Sequence, residues 1–227
     1  MQINLGLTPI HACSYLSGQQ ERLGVVMDEI WHQNSHYELL LAAGYRRSGD
    51  IIYKPMCPKC SACTPIRYDV MAFTPSRSLK RLKNQIQSMR WHFSSELDPQ
   101  WFSLYQQYIN TRHQDGSMYP ADRQSFLQFS HSEWQNIQYL HLYQEERLIA
   151  IAVTDITPHA LSAVYSFFDP QHKLSLGSAC LLIQLEQAKI WQKTWIYPGY
   201  FIEQCQKMNY KSRFHPHEKL SKQGWQR

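Results

Sequence analysis

Apolar and polar positions along the chain follow two different rhythms. Before Gln138 short strands and short helices alternate; from Gln138 the pattern changes to a series of strands. Residues 1–16 carry no regular pattern, with Thr8-Pro9 as a breaker. Leu23–Met27 reads as a short strand, and Ser35 as the cap of a helix over His36–Ala43 that Gly44 stops. Tyr45–Tyr53 is a strand interrupted by the Ser48-Gly49 turn, and Pro55, Pro58 and Pro65 argue against a regular element in the loop that follows. Ile66–Phe73 alternates as a strand, Ser76 or Ser78 caps a helix through Lys80–Ser88, and Met89–Phe93 alternates again. Asp98-Pro99 starts a helix whose buried stripe is Trp101, Leu104, Tyr105, Tyr108 and Ile109. His113–Pro120 is a loop, and Asp122 opens the helix Arg123–Phe129.

Past Gln138 the pattern predicts strands over Tyr139–Tyr143, Leu148–Asp155 and Leu161–Phe168, then a helix over Ser178–Gln192. A strand Thr194–Tyr197, a Pro198-Gly199 turn, a helix near Ile202–Met208 and a last strand Lys211–Phe214 follow, ending in a polar tail. Three antiparallel strands, helix, strand, helix, strand is the order of a mixed sheet with helices packed on it, as in N-acetyltransferase (GNAT) type acyltransferases. The predicted class is α+β: a cysteine-containing N-terminal region, 1–95, packed on a GNAT-like mixed sheet with flanking helices, 96–227.

Composition narrows this little. The 227 residues are 43% hydrophobic and 18% charged, so packed cores are expected and disorder is not. The excess of 23 basic over 18 acidic residues gives +5, mildly basic and compatible with nucleic acid. No apolar run approaches the ~20 residues of a membrane span, and the first residues lack the pattern of a signal peptide. No membrane partner is expected. Six cysteines in a chain without an export signal are read as reduced thiols, which places the protein in the cytoplasm.

The local arrangement is more informative. Cys57, Cys60 and Cys63, each two residues from the next, have spacing that suits zinc or an iron–sulfur cluster, with Cys13 or a histidine as fourth ligand. In the bacterial ferredoxin run the next cysteine would fall where Arg67 stands. Three reduced cysteines in a compact loop fit the same spacing. On either side lie cations. Arg46 and Arg47, adjacent on a strand, point to opposite faces, so only one is expected to enter a given pocket. Arg77 and Arg81 fall four apart on a helix with Lys80 beside them, suited to phosphate or to solvent. Ser175, Gly177 and Ser178 precede or open a helix and offer free N–H groups to an anion. Coenzyme A users of this fold carry Q/R-x-x-G-x-G/A here, and Leu174 stands where the first glycine belongs. Tyr165, Tyr197 and Tyr200 flank that loop as proton donors, stacking surfaces or plain core. No Ser-His-Asp, HExxH or Walker pattern is present in the sequence, so any catalysis is expected to be largely positional.

The combination CSYL, GYRRSGDIIYKPMCPKCSACTPIRY, FTPSRSLKR, then YSFFDP, SLG and YPGYFIEQCQKMNYKSRFHPHE resembles the bacterial branch of the arginyl-tRNA–protein transferase family. It covers nearly the whole chain and departs at Pro198, where relatives tend to carry leucine. The resemblance implies transfer of leucine from leucyl-tRNA to proteins bearing an N-terminal Asp or Glu, marking them for N-degron proteolysis. No cofactor is required for such a transfer, because an aminoacyl ester is already activated and an α-amine of pKa about 8 is partly deprotonated. Within that reading Arg46 or Arg47 holds the acceptor's carboxylate, and Arg77, Lys80 and Arg81 hold the tRNA acceptor end. Ser175–Ser178 lie near the terminal phosphate or ribose, and Tyr165 or Tyr197 donates the proton. Arginyl transfer onto the same acceptors, a metal-dependent tRNA-binding module without catalysis, and a small-molecule N-acetyltransferase are the rival readings.

Overall fold

A computed structural model describes residues 3–227. The N-terminal elements are β1 (Leu5–Leu7), β2 (His11–Ala12), β3 (Gln20–Glu21), β4 (Leu23–Val26), α1 (Asn34–Ala42), β5 (Arg46–Ser48), β6 (Ile51–Pro55), β7 (Thr64–Asp69), α2 (Arg77–Ile86) and β8 (Arg90–Ser94). Then follow α3 (Trp101–Arg112), α4 (Arg123–Ser130), β9 (Ile137–Gln144), β10 (Arg147–Ile156), β11 (Ala160–Phe168), α5 (Leu176–Ile190), β12 (Trp195–Tyr197), β13 (Tyr200–Phe201), α6 (Gln206–Asn209), β14 (His217–Ser221) and β15 (Gly224–Gln226). None of the described helices is long and apolar enough to cross a membrane.

The large sheet runs β15-β14-β7-β12-β11-β10-β9-β8, with β13 joined to β7. Among the described residues its one parallel pair is β11 with β12. Alternation decides which side chains face which layer. Leu140 and Leu142 of β9, with Ala150 and Ala152 of β10, join α2 and α5 in one core. Their neighbours Tyr139, Tyr143, Ile151 and Val153 face α3 and α4 on the other side. A sheet covered on both faces explains why β10 reads as a nearly continuous apolar run. The smaller sheet, β1-β4-β6-β5, lies with α1 in a third core that also takes in Tyr197.

The mixed α+β architecture predicted from the sequence is present. The boundary expected between 95 and 96 is not where the sheets divide: β7 lies between β12 and β14, and β8 is the edge strand beside β9, so residues before 95 supply two strands of the large sheet. Two terminal expectations are also corrected. Lys211–Phe214, predicted as a strand, is mostly a 3-10 turn over Tyr210–Arg213, and the polar tail closes the sheet as the β14–β15 hairpin. Irregular chain expected over 1–16 contains β1 and β2. The caps predicted for α2 and α4 are present, with Ser76 Oγ and Asp122 Oδ2 accepting from the N–H of Leu79 and Ser125.

The β5–β6 hairpin turns through Gly49-Asp50, with Ser48 opposite Ile51. Gly49 has φ +60, and a Cβ there would overlap the Gln128 carbonyl oxygen, which is backbone and has no rotamer to escape by. Gly49 N–H donates to Phe129 O at 2.7 Å, so the turn is fastened to the end of α4. Gly49→Ala is expected to lower the unfolding free energy by more than about 1 kcal/mol, read from the denaturant midpoint.

Candidate active site

The parallel pair is the origin of the main cavity. β12 matches β11 only at Ala160, Leu161 and Ser162. At Pro198 the chain leaves the ladder, since proline has no N–H to continue it. Opposite, the β10–β11 register slips between Val153 and Thr154, so that Val153 faces Tyr165 while Thr154 faces Ala163. Beyond Ser162 the β12 edge of β11 has no ladder partner, and the two strands open around a cavity of about 970 Å³. Ala163–Ser166 of β11 line one wall, Ser175, Gly177 and Ser178 at the start of α5 a second, and Pro198–Tyr200 with Gln206–Lys211 a third. Tyr15 and Tyr53 from the N-terminal region complete it.

Charge in this cavity has one sign. Arg46, Arg47, Arg112, Lys207, Lys211 and Arg213 line it, and among the described residues no Asp or Glu does. The two neighbouring arginines have different states. Arg47 has every donor engaged: Nε and Nη2 grip both Asp155 carboxylate oxygens, Nη1 donates to Gly49 O and Phe129 O, and Nη2 also to Ser130 O. Burial alone would lower its pKa, and the Asp155 carboxylate more than restores it, so the net direction is up. Arg47 therefore forms part of the cavity wall with no donor left for a ligand, which corrects the expectation that it holds an acceptor carboxylate. Arg46 donates through Nη1 to Tyr45 O at 2.5 Å and Leu41 O at 3.5 Å, and through Nη2 to Gly199 O at 3.1 Å. Its Nε is buried with no partner among the described residues. Three of its five donors are used, and the unpaired Nε is itself covered by protein, so the side-on Nε/Nη2 edge is not open to the cavity. Both arginines line the cavity, so the expectation that only one would enter it is also corrected.

Lys211 is a cavity residue that the sequence pattern does not announce. The pattern predicts strand at its position, whereas the 3-10 turn folds it inward until it is only 6% exposed. Its Nζ donates to Tyr200 O at 2.7 Å and lies 3.4 Å from Met208 Sδ. Burial, with Arg46 adding to it, pushes its pKa down to about 7. A lysine in the basic YKSR run is the available signal, but nothing in its spacing points to burial. The other cavity cations, Arg112, Lys207 and Arg213, sit on elements far apart in sequence or on its irregular end, so no local pattern links them.

Tyr165 lines the cavity, its hydroxyl buried without a partner and its pKa pushed well up by burial. Tyr197 does not line it. Its ring is 2% exposed in the third core, 5.8 Å from Trp225, with the Arg46 guanidinium 5.4 Å above it. It supports Arg46 from behind, which corrects its placement as proton donor. Arg77, Lys80 and Arg81 are likewise outside the cavity, exposed on α2.

Cys13, Cys57, Cys60 and Cys63 are half-buried free thiols. They are neighbours: burial first, then Cys57, Cys13 and Cys60, push the Cys63 thiol up to about 12. Among the described residues, however, no three His, Cys, Asp or Glu side chains converge to hold an ion. The expected metal set does not have ligating geometry, and Cys57, Cys60 and Cys63 instead line a separate hollow of about 200 Å³.

Two family models match the chain: arginine-tRNA-protein transferase, N terminus, over residues 11–81, and its C terminus over 100–221. The chain is 48% identical over 225 residues to the aspartate/glutamate leucyltransferases of Vibrio vulnificus (strain YJ016) and Vibrio campbellii (strain ATCC BAA-1116), covering 99% of this chain and 97% of each relative. It is 47% identical over 224 residues to that of Aeromonas salmonicida (strain A449), covering 98% and 94%. Among solved structures, L-PGS from Bacillus licheniformis is similar with a TM-score of 0.46 and 12% identity, covering 74% of this chain and 51% of that one. Both family models fall in chain order and together span the cysteine loop, the arginine hairpin and every wall of the cavity, so the chain belongs to the arginine-tRNA-protein transferase family.

Proposed function

We propose that this protein transfers leucine from leucyl-tRNA to the α-amine of proteins that begin with Asp or Glu. The observation that carries this reading is a cavity whose charged lining, among the described residues, is all cationic, with Arg46, Lys211 and Arg112 in its walls. A peptide with an acidic first residue brings one carboxylate to these cations and its amine a few bonds away. The absence of Asp and Glu among the described lining residues favours leucine over arginine as the donated group, since a guanidinium would find only like charge. Ala152, Val164, Phe168 and Leu181 offer it apolar wall.

The reaction needs alignment more than activation. The α-amine attacks the ester carbonyl of leucyl-tRNA, an amide C–N bond forms, and the ester C–O bond to the ribose breaks. Lys211, neutral in half its molecules near pH 7, takes the proton the amine loses. Tyr165, held protonated, has a hydroxyl proton to share with the departing ribose oxygen. The unpaired edge of β11 supplies backbone donors to the developing oxyanion. Ser175, Gly177 and Ser178 receive the terminal nucleotide at the α5 N-terminus. No cofactor enters any of these steps. The parallel strands splitting beside a helix start also support the finer reading of the large sheet as N-acetyltransferase-like.

Labelled leucine transferred from tRNA to peptides differing only in the first residue tests this. Asp and Glu peptides are expected to be labelled and Asn and Ala peptides not; indiscriminate labelling, or none, overturns it. Arg46→Gln is expected to raise KM for an Asp-initiated peptide roughly 10- to 100-fold, the worth of a hydrogen bond to a charged group, with affinity for leucyl-tRNA unchanged.

A further inference from the structure

The basic residues of α2 have no role inside the cavity, yet their arrangement is specific. Leu79, Leu82 and Ile86 bury one face of the helix against the core. Arg77, Lys80, Arg81 and Asn84, spaced i, i+3, i+4, i+7, form the opposite exposed stripe. Lys83, one step round the helix, is neutralised by Glu186 of α5. Arg77, Lys80 and Arg81 have no acidic group within ion-pair distance among the described residues, and none makes a side-chain hydrogen bond there.

The stripe is also tied to the cavity mouth. Arg213 lines the cavity and is exposed. Two residues on, His215 O accepts from the N–H of Thr74 at 3.1 Å, just before α2 begins, and Phe214 stacks on Phe73 with ring centroids 6.0 Å apart. The segment that carries Arg213 at the cavity mouth is therefore held beside the segment that leads into α2. From Arg213 to Arg77 the path spans at most roughly 25 Å by chain reach. Three unneutralised cations at helical spacing, linked to an equally cationic cavity, complement a regular array of phosphates.

We infer that the Arg77–Lys80–Arg81 face of α2 holds the phosphate backbone of the tRNA acceptor stem while the stem's 3′ end enters the cavity. This rests on the transferase reading above and adds to it a second, sequence-independent contact. The contact positions the donor and does not touch the reacting atoms.

The test compares two leucyl donors with the parent protein and with the triple variant Arg77→Ala, Lys80→Ala, Arg81→Ala: full-length leucyl-tRNA, and a leucylated oligonucleotide carrying only the single-stranded CCA end. The triple variant is expected to raise KM for leucyl-tRNA about tenfold or more. It should also lower the slope of log KM on log salt by roughly two to three, since each phosphate that a cation no longer neutralises takes away a slope of about one. kcat at saturating leucyl-tRNA, and all kinetics with the CCA donor, should be unchanged. Equal KM and salt slope for parent and triple variant with full-length tRNA would overturn the stem contact. An equal rise in KM with both donors would overturn it too, by showing that these residues act on the 3′ end. Failure of the parent to transfer from either donor would instead sink the transferase reading, a distinguishable result.

Discussion

Lys211→Met is expected to slow leucine transfer by about 10²–10⁴-fold, the span of a missing general base, while the protein stays folded. Protonated below its pKa of about 7 and neutral above, Lys211 in the parent becomes competent as pH rises through 7. The methionine variant should lack that limb of the kcat profile and retain only a weaker rise from the acceptor amine near pH 8. The stability sign is the opposite of what removing a buried side chain's hydrogen bond suggests. An unfolded lysine titrates near 10.4, so between about 7 and that value the unfolded chain binds more protons and stability climbs with pH. Methionine removes that penalty, and the variant should melt no lower than the parent at pH 7. A parent-like pH–rate profile in Lys211→Met would remove the lysine from the mechanism.

Arg47→Ala is expected to cost about 3–5 kcal/mol of stability, because it leaves the fully buried Asp155 carboxylate without its partner. That is a large share of the ~5–15 kcal/mol typical of a folded domain. Guanidinium unfolding would show it as a fall in midpoint. The double variant Arg47→Met, Asp155→Leu should recover much of that stability, since removing both charges leaves neither desolvated alone. Its acceptor preference should match the parent's, in contrast to Arg46→Gln. A parent-like midpoint in Arg47→Ala would show that the pair is not what fastens β5 to β10.

Much of the secondary structure is legible from pattern alone because the relevant forces are local. Asp122 and Ser76 announce their helices through their own side-chain oxygens, and near-continuous apolar runs report the strands β9 to β11, buried on both faces. Where partners are distant, local signals fail. Arg46 and Arg47 are identical residues on one short strand, and their divergence depends on Asp155, more than a hundred positions away. Lys211 acquires its low pKa from burial beside Arg46, a tertiary neighbour. Tyr197 has the residue type of a proton donor, but the third core closes around its ring. The cysteine spacing suits a metal, yet spacing fixes only proximity, and the thiols meet without ligating geometry. The loop Ser175–Ser178 is legible because a helix start carries its donors wherever the helix is placed.

The position of β7 bears on how the molecule is made. Ile66 and Tyr68 on that strand find their ladder partners in β12 and β14, and its first residues pair with β13, all made late in synthesis. Until then an emerging polypeptide carries β7 with its Ile66 and Tyr68 face uncovered and no neighbour on either side. Such late pairing slows closure and invites association between nascent copies. Catalytic competence is thus withheld until the ribosome has delivered the far end of the chain.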